Sequence, residues 1–173
     1  ITSDIAMALR TPTKDAEEIK VGHGVAKQLL ADPADNLEVP GLGDRSPRLL
    51  SRQALAGVIE PRVEEIYSLV QQVIRESGYE EVLSSGIVLT GGSVVMPGMV
   101  ELGEDIFLKP VRRGNPTYAG ALSDMVANPR SATVMGLLEE ARAARARGHK
   151  AATQAGSVST LLTRAKDWFL GNF

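Results

Sequence analysis

Between Ser51 and about Ser77 the chain sets Leu55, Val58, Ile59, Val63, Ile66, Leu69, Val70, Val73 and Ile74 at helical spacing on one face. A helix of that reach is about 40 Å long, so the remaining elements must supply an apolar surface for it to lie against. Pro61 falls inside the run and predicts a kink near Ile59. Gly78 ends it.

On either side of this helix the pattern is α/β. A helix is expected from Thr13 to Leu30, with Thr13 as N-cap and acidic residues in the first turn. Two short extended pieces, Leu37 to Val39 and Arg48 to Leu50, read as a hairpin joined through Pro40-Gly41-Leu42-Gly43. A buried-type strand runs from Ser85 to Thr90, and Gly91-Gly92 follows it. Pro97 opens a helix to about Phe107, Leu108 to Arg112 reads as a strand, and Asn128-Pro129 starts a helix to about Arg147. Strand, helix, strand, helix is the order of parallel-sheet units.

Composition narrows the function. A net charge of −2 argues against a nucleic-acid partner. The absence of cysteine removes disulfide and thiolate chemistry. No apolar run approaches the ~20 residues that span a bilayer. The sequence starts at Ile1 without a methionine, which suggests a fragment or a processed product. His23 and His149 lack metal-ligand spacing, and no Ser/His/Asp set or paired carboxylate is present, so neither a metal nor a catalytic residue is assigned. Arg142, Arg145 and Arg147 fit a solvated helix end or a contact with anionic lipid.

Two places can carry binding chemistry. Glycines after a strand let a backbone approach a sugar or phosphate with no Cβ in the way, though a pair such as Gly91-Gly92 after a strand is more often a plain tight turn. Glu17 and Lys20, three apart on one helix face, can present an acceptor and a cation to one polar ligand, or form a plain solvated ion pair.

The C-terminus is unlike the rest. Ser159 to Phe173 holds the only tryptophan and two of the three phenylalanines. As a helix it would put Val158, Leu161, Leu162, Ala165, Trp168, Phe169 and Phe173 within an arc of roughly 140°. Thr163, Arg164 and Asp167 fall opposite, with Lys166 at the edge. Such a segment, reached through the small, polar stretch from Gly148 to Ser157, fits a helix lying in a membrane interface.

The order ITSDIA from Ile1, AEEIK from Ala16, RQALAGVIEPRVEEI from Arg52, GIVLTGG from Gly86, NPRSATVMGLL from Asn128 and a Trp/Phe-rich tail resembles the C-terminal part of the FtsA family of bacterial cell-division proteins. The resemblance covers essentially the whole chain. It implies the C-terminal half of an actin-like (ribonuclease H-like) α/β fold with a small α+β subdomain. Residues 1–19 and 79–147 would form the larger subdomain, 20–78 the smaller, 148–158 a linker and 159–173 an amphipathic membrane-targeting helix. It implies ATP, with magnesium in the full-length family, and adenosine contacts from Glu17, Lys20, Gly91, Gly92 and Ser93. Arg62 and Glu65 would meet the C-terminal peptide of FtsZ, and Arg48 corresponds to a position linked to self-association into actin-like polymers. Leu161, Leu162, Arg164, Lys166, Trp168, Phe169 and Phe173 would enter the membrane. The expected role is a tether between the FtsZ ring, other divisome proteins and the cytoplasmic face of the inner membrane at the division site.

One departure qualifies these expectations. The family's phosphate-binding hairpins and its acidic residue near the metal lie before Ile1, so weak or undetectable ATP binding and no hydrolysis are expected of this chain. An actin-like ATPase or sugar-kinase fragment is the alternative class, but it would not need the tail. A third reading packs the terminal helix back onto protein.

Overall fold

The computed structural model describes residues 1–43 and 45–148. Residues 149–173, which include the linker and the residues expected to enter a membrane (Leu161, Leu162, Arg164, Lys166, Trp168, Phe169 and Phe173), therefore lie outside the described residues. The chain divides into a unit at Ile1–Thr133 and a second at Val134–Phe173.

The first unit is helix-rich with two small sheets. Helix α1 spans Thr2–Leu9 and α2 spans Thr13–His23. Strands β1 (Asn36–Val39) and β2 (Arg48–Ser51) form the expected antiparallel hairpin, with Leu37 opposite Leu50. Helix α3 runs from Arg52 to Glu76 with Pro61 inside it. Strand β3 (Ile87–Leu89), helix α4 (Met99–Phe107) and strand β4 (Val111–Arg113) make one parallel unit in which Ile87 faces Val111. A short helix α5 follows at Ser123–Val126. Helix α6 begins at Ala132 and ends at Ala146. Within the second unit its surface carries the ion pairs Arg142–Glu139 (3.6 Å) and Arg147–Glu140. No described helix is long and apolar enough to cross a membrane.

Several boundaries differ from the sequence pattern. The helix expected to reach Leu30 ends at His23, because the chain turns to extended geometry at Gly24, where an added Cβ would stand 2.4 Å from the Lys20 carbonyl oxygen. Pro12, not Thr13, occupies the N-cap. The strand expected at Leu108 to Arg112 starts at Val111, since Leu108 takes the left-handed C-cap of α4 at φ 51°.

Helix α3 is the axis of the core. Ser51 caps it, its hydroxyl accepting from the Ala54 N–H at 3.2 Å. Leu55, Ile59, Val63, Tyr67 and Gln71 are its deeply buried side chains at spacing four. They pack with Ile5 and Leu9 of α1, Ala16 and Ile19 of α2, the hairpin's Leu37 and Val39, and Met99, Leu102 and Phe107 of α4. The rings of Tyr67 and Phe107 sit 5.1 Å apart, and the Tyr67 hydroxyl donates to the Met99 carbonyl at 3.1 Å. Burial pushes the Tyr67 phenol up to about 12.

The single apolar face expected of α3 is not what the fold uses. Positions four apart advance about 40° around a helix at each step. The buried ridge therefore winds away from the arc that holds Ile66, Leu69, Val70 and Val73, all four of which are exposed. Alanine at Ile59, which is fully buried, should cost about 2–5 kcal/mol of unfolding free energy. Leu69→Gln, on the open side, should stay within about 0.5 kcal/mol. Chemical denaturation of the two variants checks this, and equal losses would place both residues in the core.

Candidate functional site

The loop after β3 and the end of α2 face each other across a cavity of about 410 Å³. Contacts farther along both segments pin this arrangement. The Ala26 N–H donates to the Pro97 carbonyl at 2.8 Å, and Lys27 pairs with Asp105 of α4 at 2.5 Å. Gly98 makes the approach possible: at φ 86° its missing Cβ would lie 2.7 Å from the Lys27 nitrogen. A larger residue there would push the two walls apart.

Glu17, Lys20, Val21 and Gly24 form one wall; Gly92, Ser93, Val95, Met96 and Pro97 form the other, with Arg130 at the rim. Four of the five residues proposed for nucleoside contact thus line one space. Gly91 stands behind them. It holds φ 100°, with its N–H donating to the Pro129 carbonyl at 3.0 Å. That bond delivers Arg130, whose own N–H is capped by the Asn128 side-chain oxygen at 3.0 Å. Motif reading missed Val21, Gly24, Val95, Met96 and Pro97 and, as the one charged residue among those missed, Arg130. Its place depends on a contact across 38 positions of sequence, and the only local trace is the Asn-Pro turn before it.

The polar side of the cavity is a three-member network. Lys20 Nζ lies 2.6 Å from Glu17 Oε2 and 3.0 Å from Thr2 Oγ1, and Thr2 donates to the same carboxylate at 2.6 Å. The Lys20 ammonium, then the Thr2 hydroxyl, hold Glu17 below the ordinary carboxylate range. Glu17 is therefore a fixed anionic acceptor, suited to ligand hydroxyls. Val21, Val95, Met96 and Pro97 offer apolar area beside it.

Arg62 and Glu65 occupy consecutive turns of α3. Arg62 donates to both oxygens of Asp4 at 2.8 and 2.6 Å and also bonds Glu65. The guanidinium holds the Asp4 carboxyl well below the usual range. Arg48 stands at the other end of α1, where its Nη2 donates to the Leu9 carbonyl at 2.8 Å. The three residues proposed for partner contact thus form two separate groups.

The description of the matching family model is "Cell division protein FtsA", and it covers residues 1–136. The chain is similar along its entire length to cell division protein FtsA of Pseudomonas aeruginosa (48% identity), Neisseria meningitidis (42%) and Escherichia coli (37%). It spans 43% of the length of each of these relatives.

Because folding lowers the Glu17 pKa below its unfolded value, its ionised form adds stability above pH 4.5 that is lost as pH falls through the folded value. In Lys20→Met the carboxyl midpoint should rise toward its ordinary 4.5, and the acid-side loss should shrink. A carbon-detected NMR titration of Glu17 reads this directly; an unmoved midpoint would assign the shift elsewhere.

Proposed function

Since the chain belongs to the FtsA cell-division protein family, we propose that it serves as the partner-docking and membrane-attaching portion of a tether for the FtsZ ring. The observation that carries this reading is the open face of α3. Ile66, Leu69, Val70 and Val73 are exposed on a helix that is otherwise the centre of the core, and they continue the side that bears Arg62 and Glu65. Charged groups at one end of an apolar helical strip suit a short peptide that is acidic and apolar by turns. Arg62 retains exposed surface beside its Asp4 bond and can share its donors with an incoming carboxylate.

The cavity supports a nucleoside as the family's ligand. Its residues fit the group: an ionised acceptor at Glu17, a cation at Lys20, apolar area from Val21, Val95, Met96 and Pro97, and at Gly92 nothing nearer than the Arg130 stem, 3.9 Å from where a Cβ would stand. Glu17 and Lys20 would hold ribose or base polar atoms, and Gly92 and Ser93 would admit the ligand close to the backbone. When bound, ATP would supply binding energy shared by the two walls. We do not assign the chain hydrolysis, because none of these residues is positioned as a base or a metal ligand. Under this reading, purified chain hydrolyses ATP no faster than its Lys20→Ala variant; a clear excess would make it an enzyme.

The attachment role rests on the sequence of residues 159–173. Partial burial of Leu161, Leu162, Trp168 and Phe169 in an interface supplies part of the ~1.5–3 kcal/mol that full burial of each would give. Ordering a short helix opposes it. One tail therefore holds weakly, and self-association multiplies it through effective concentration. Under this reading the protein acts at the cytoplasmic face of the inner membrane with other divisome proteins.

In calorimetric titration with an FtsZ C-terminal peptide, Leu69→Gln should bind at least tenfold more weakly with an unchanged unfolding midpoint. Undiminished affinity would remove α3 from the reading. In sedimentation with anionic vesicles, Trp168→Ala should leave most protein in the supernatant, and unchanged pelleting would remove the tail.

A further inference from the structure

Where α1 ends, a second cavity of about 430 Å³ lies between Ala6, Met7, Arg10 and Thr11 and the β1–β2 connection, which contributes Leu42 and Arg45. A helix C-terminus leaves carbonyls to be satisfied, and here that need is met without either cavity arginine's side chain. The Thr11 N–H donates to the Ala6 carbonyl at 3.1 Å, the Arg10 N–H to Met7 at 3.4 Å, and Arg48 takes the Leu9 carbonyl. Among the described residues, no carboxylate pairs with the Arg10 or Arg45 guanidinium.

Thr11 supplies the second observation. It is 4% exposed and lines the same cavity, and its hydroxyl oxygen has no hydrogen-bond partner among the described residues. Buried hydroxyls are ordinarily paired. Two planar guanidinium forks beside an unpaired hydroxyl match a carboxylate, which accepts from all three. Met7 and Leu42, 71% and 55% exposed, flank the arginines with apolar surface. An inorganic anion would leave that surface wet, and methionine adapts its shape to apolar partners.

We propose that this cavity binds the carboxylate side chain of an acidic peptide whose neighbouring residue is apolar. The carboxylate lies between Arg10 and Arg45 and accepts from Thr11, while the apolar neighbour covers Met7 and Leu42. This site is separate from the open face of α3 and from the nucleoside cavity, and it does not depend on either.

The test titrates acetyl-Leu-Asp-Leu-Glu-Gly-amide into isotope-labelled full chain and follows backbone amide shifts. Saturable shifts are expected at Met7, Arg10, Thr11 and Leu42. The Asn/Gln analogue of the peptide, and the Arg10→Gln/Arg45→Gln double variant, should each bind at least tenfold more weakly. Amides outside the cavity should be unmoved in the double variant, which shows that it is folded. Equal binding of peptide and analogue would overturn the proposal. So would equal binding of inorganic phosphate, which would make this a plain anion site. Glycerophosphoglycerol binding more tightly than the peptide would assign the cavity to a lipid headgroup instead.

Discussion

The winding of one buried ridge along α3 is the constraint from which the rest of the first unit follows. Leu55, Ile59, Val63 and Tyr67 share one buried cluster with residues of α1, α2, the hairpin and α4, so those elements take their places around one helix. A close-packed interior admits little slippage along such a ridge. Because the ridge rotates, it cannot bury every apolar residue of α3. Ile66, Leu69, Val70 and Val73 are therefore left on the surface by the same geometry that builds the core.

Placement of α2 opposite the loop that follows β3 brings the cavity lined by Glu17, Lys20, Gly92 and Ser93 into being. Neither wall has a ligand-shaped surface by itself. The Ala26–Pro97 hydrogen bond, the Lys27–Asp105 pair and the missing side chain of Gly98 hold the walls together at their far end, leaving space between Glu17 and Ser93. The Glu17–Lys20 pair, which spacing alone could not distinguish from a solvated one, gains its meaning there. Thr2 of α1 closes the network, so α1 contributes to one site through Thr2, to a second surface through Asp4, which binds Arg62 of α3, and to a third through Ala6 and Met7.

Much of the architecture was legible in the residues. The hairpin at Asn36 to Ser51 follows from two apolar pieces around a Pro- and Gly-rich connection, and the parallel pairing of β3 with β4 follows from the strand–helix–strand order. The misreadings share one cause. Periodicity alone carried α2 on to Leu30, placed β4 at Leu108 and gave α3 one apolar face. The fold instead stops α2 at Gly24 beside Met96, turns the chain at Leu108 and winds the buried ridge. Each of those outcomes depends on a neighbour remote in sequence.

Local chemistry in the sequence thus determined which segments become helix and strand, which short motifs can face a ligand, and that the terminal segment carries an amphipathic pattern. Spacing and composition act over a few residues, and these are properties of a few residues. Tertiary structure alone decided that Gly91 stands behind the cavity while Arg130 lines it, that Arg48 and Arg62 serve opposite ends of α1, and that Thr11 is buried with no partner for its hydroxyl among the described residues. The physical reason is packing: which side chain is covered, and which polar atom finds a partner, is settled by whatever element arrives from elsewhere in the chain.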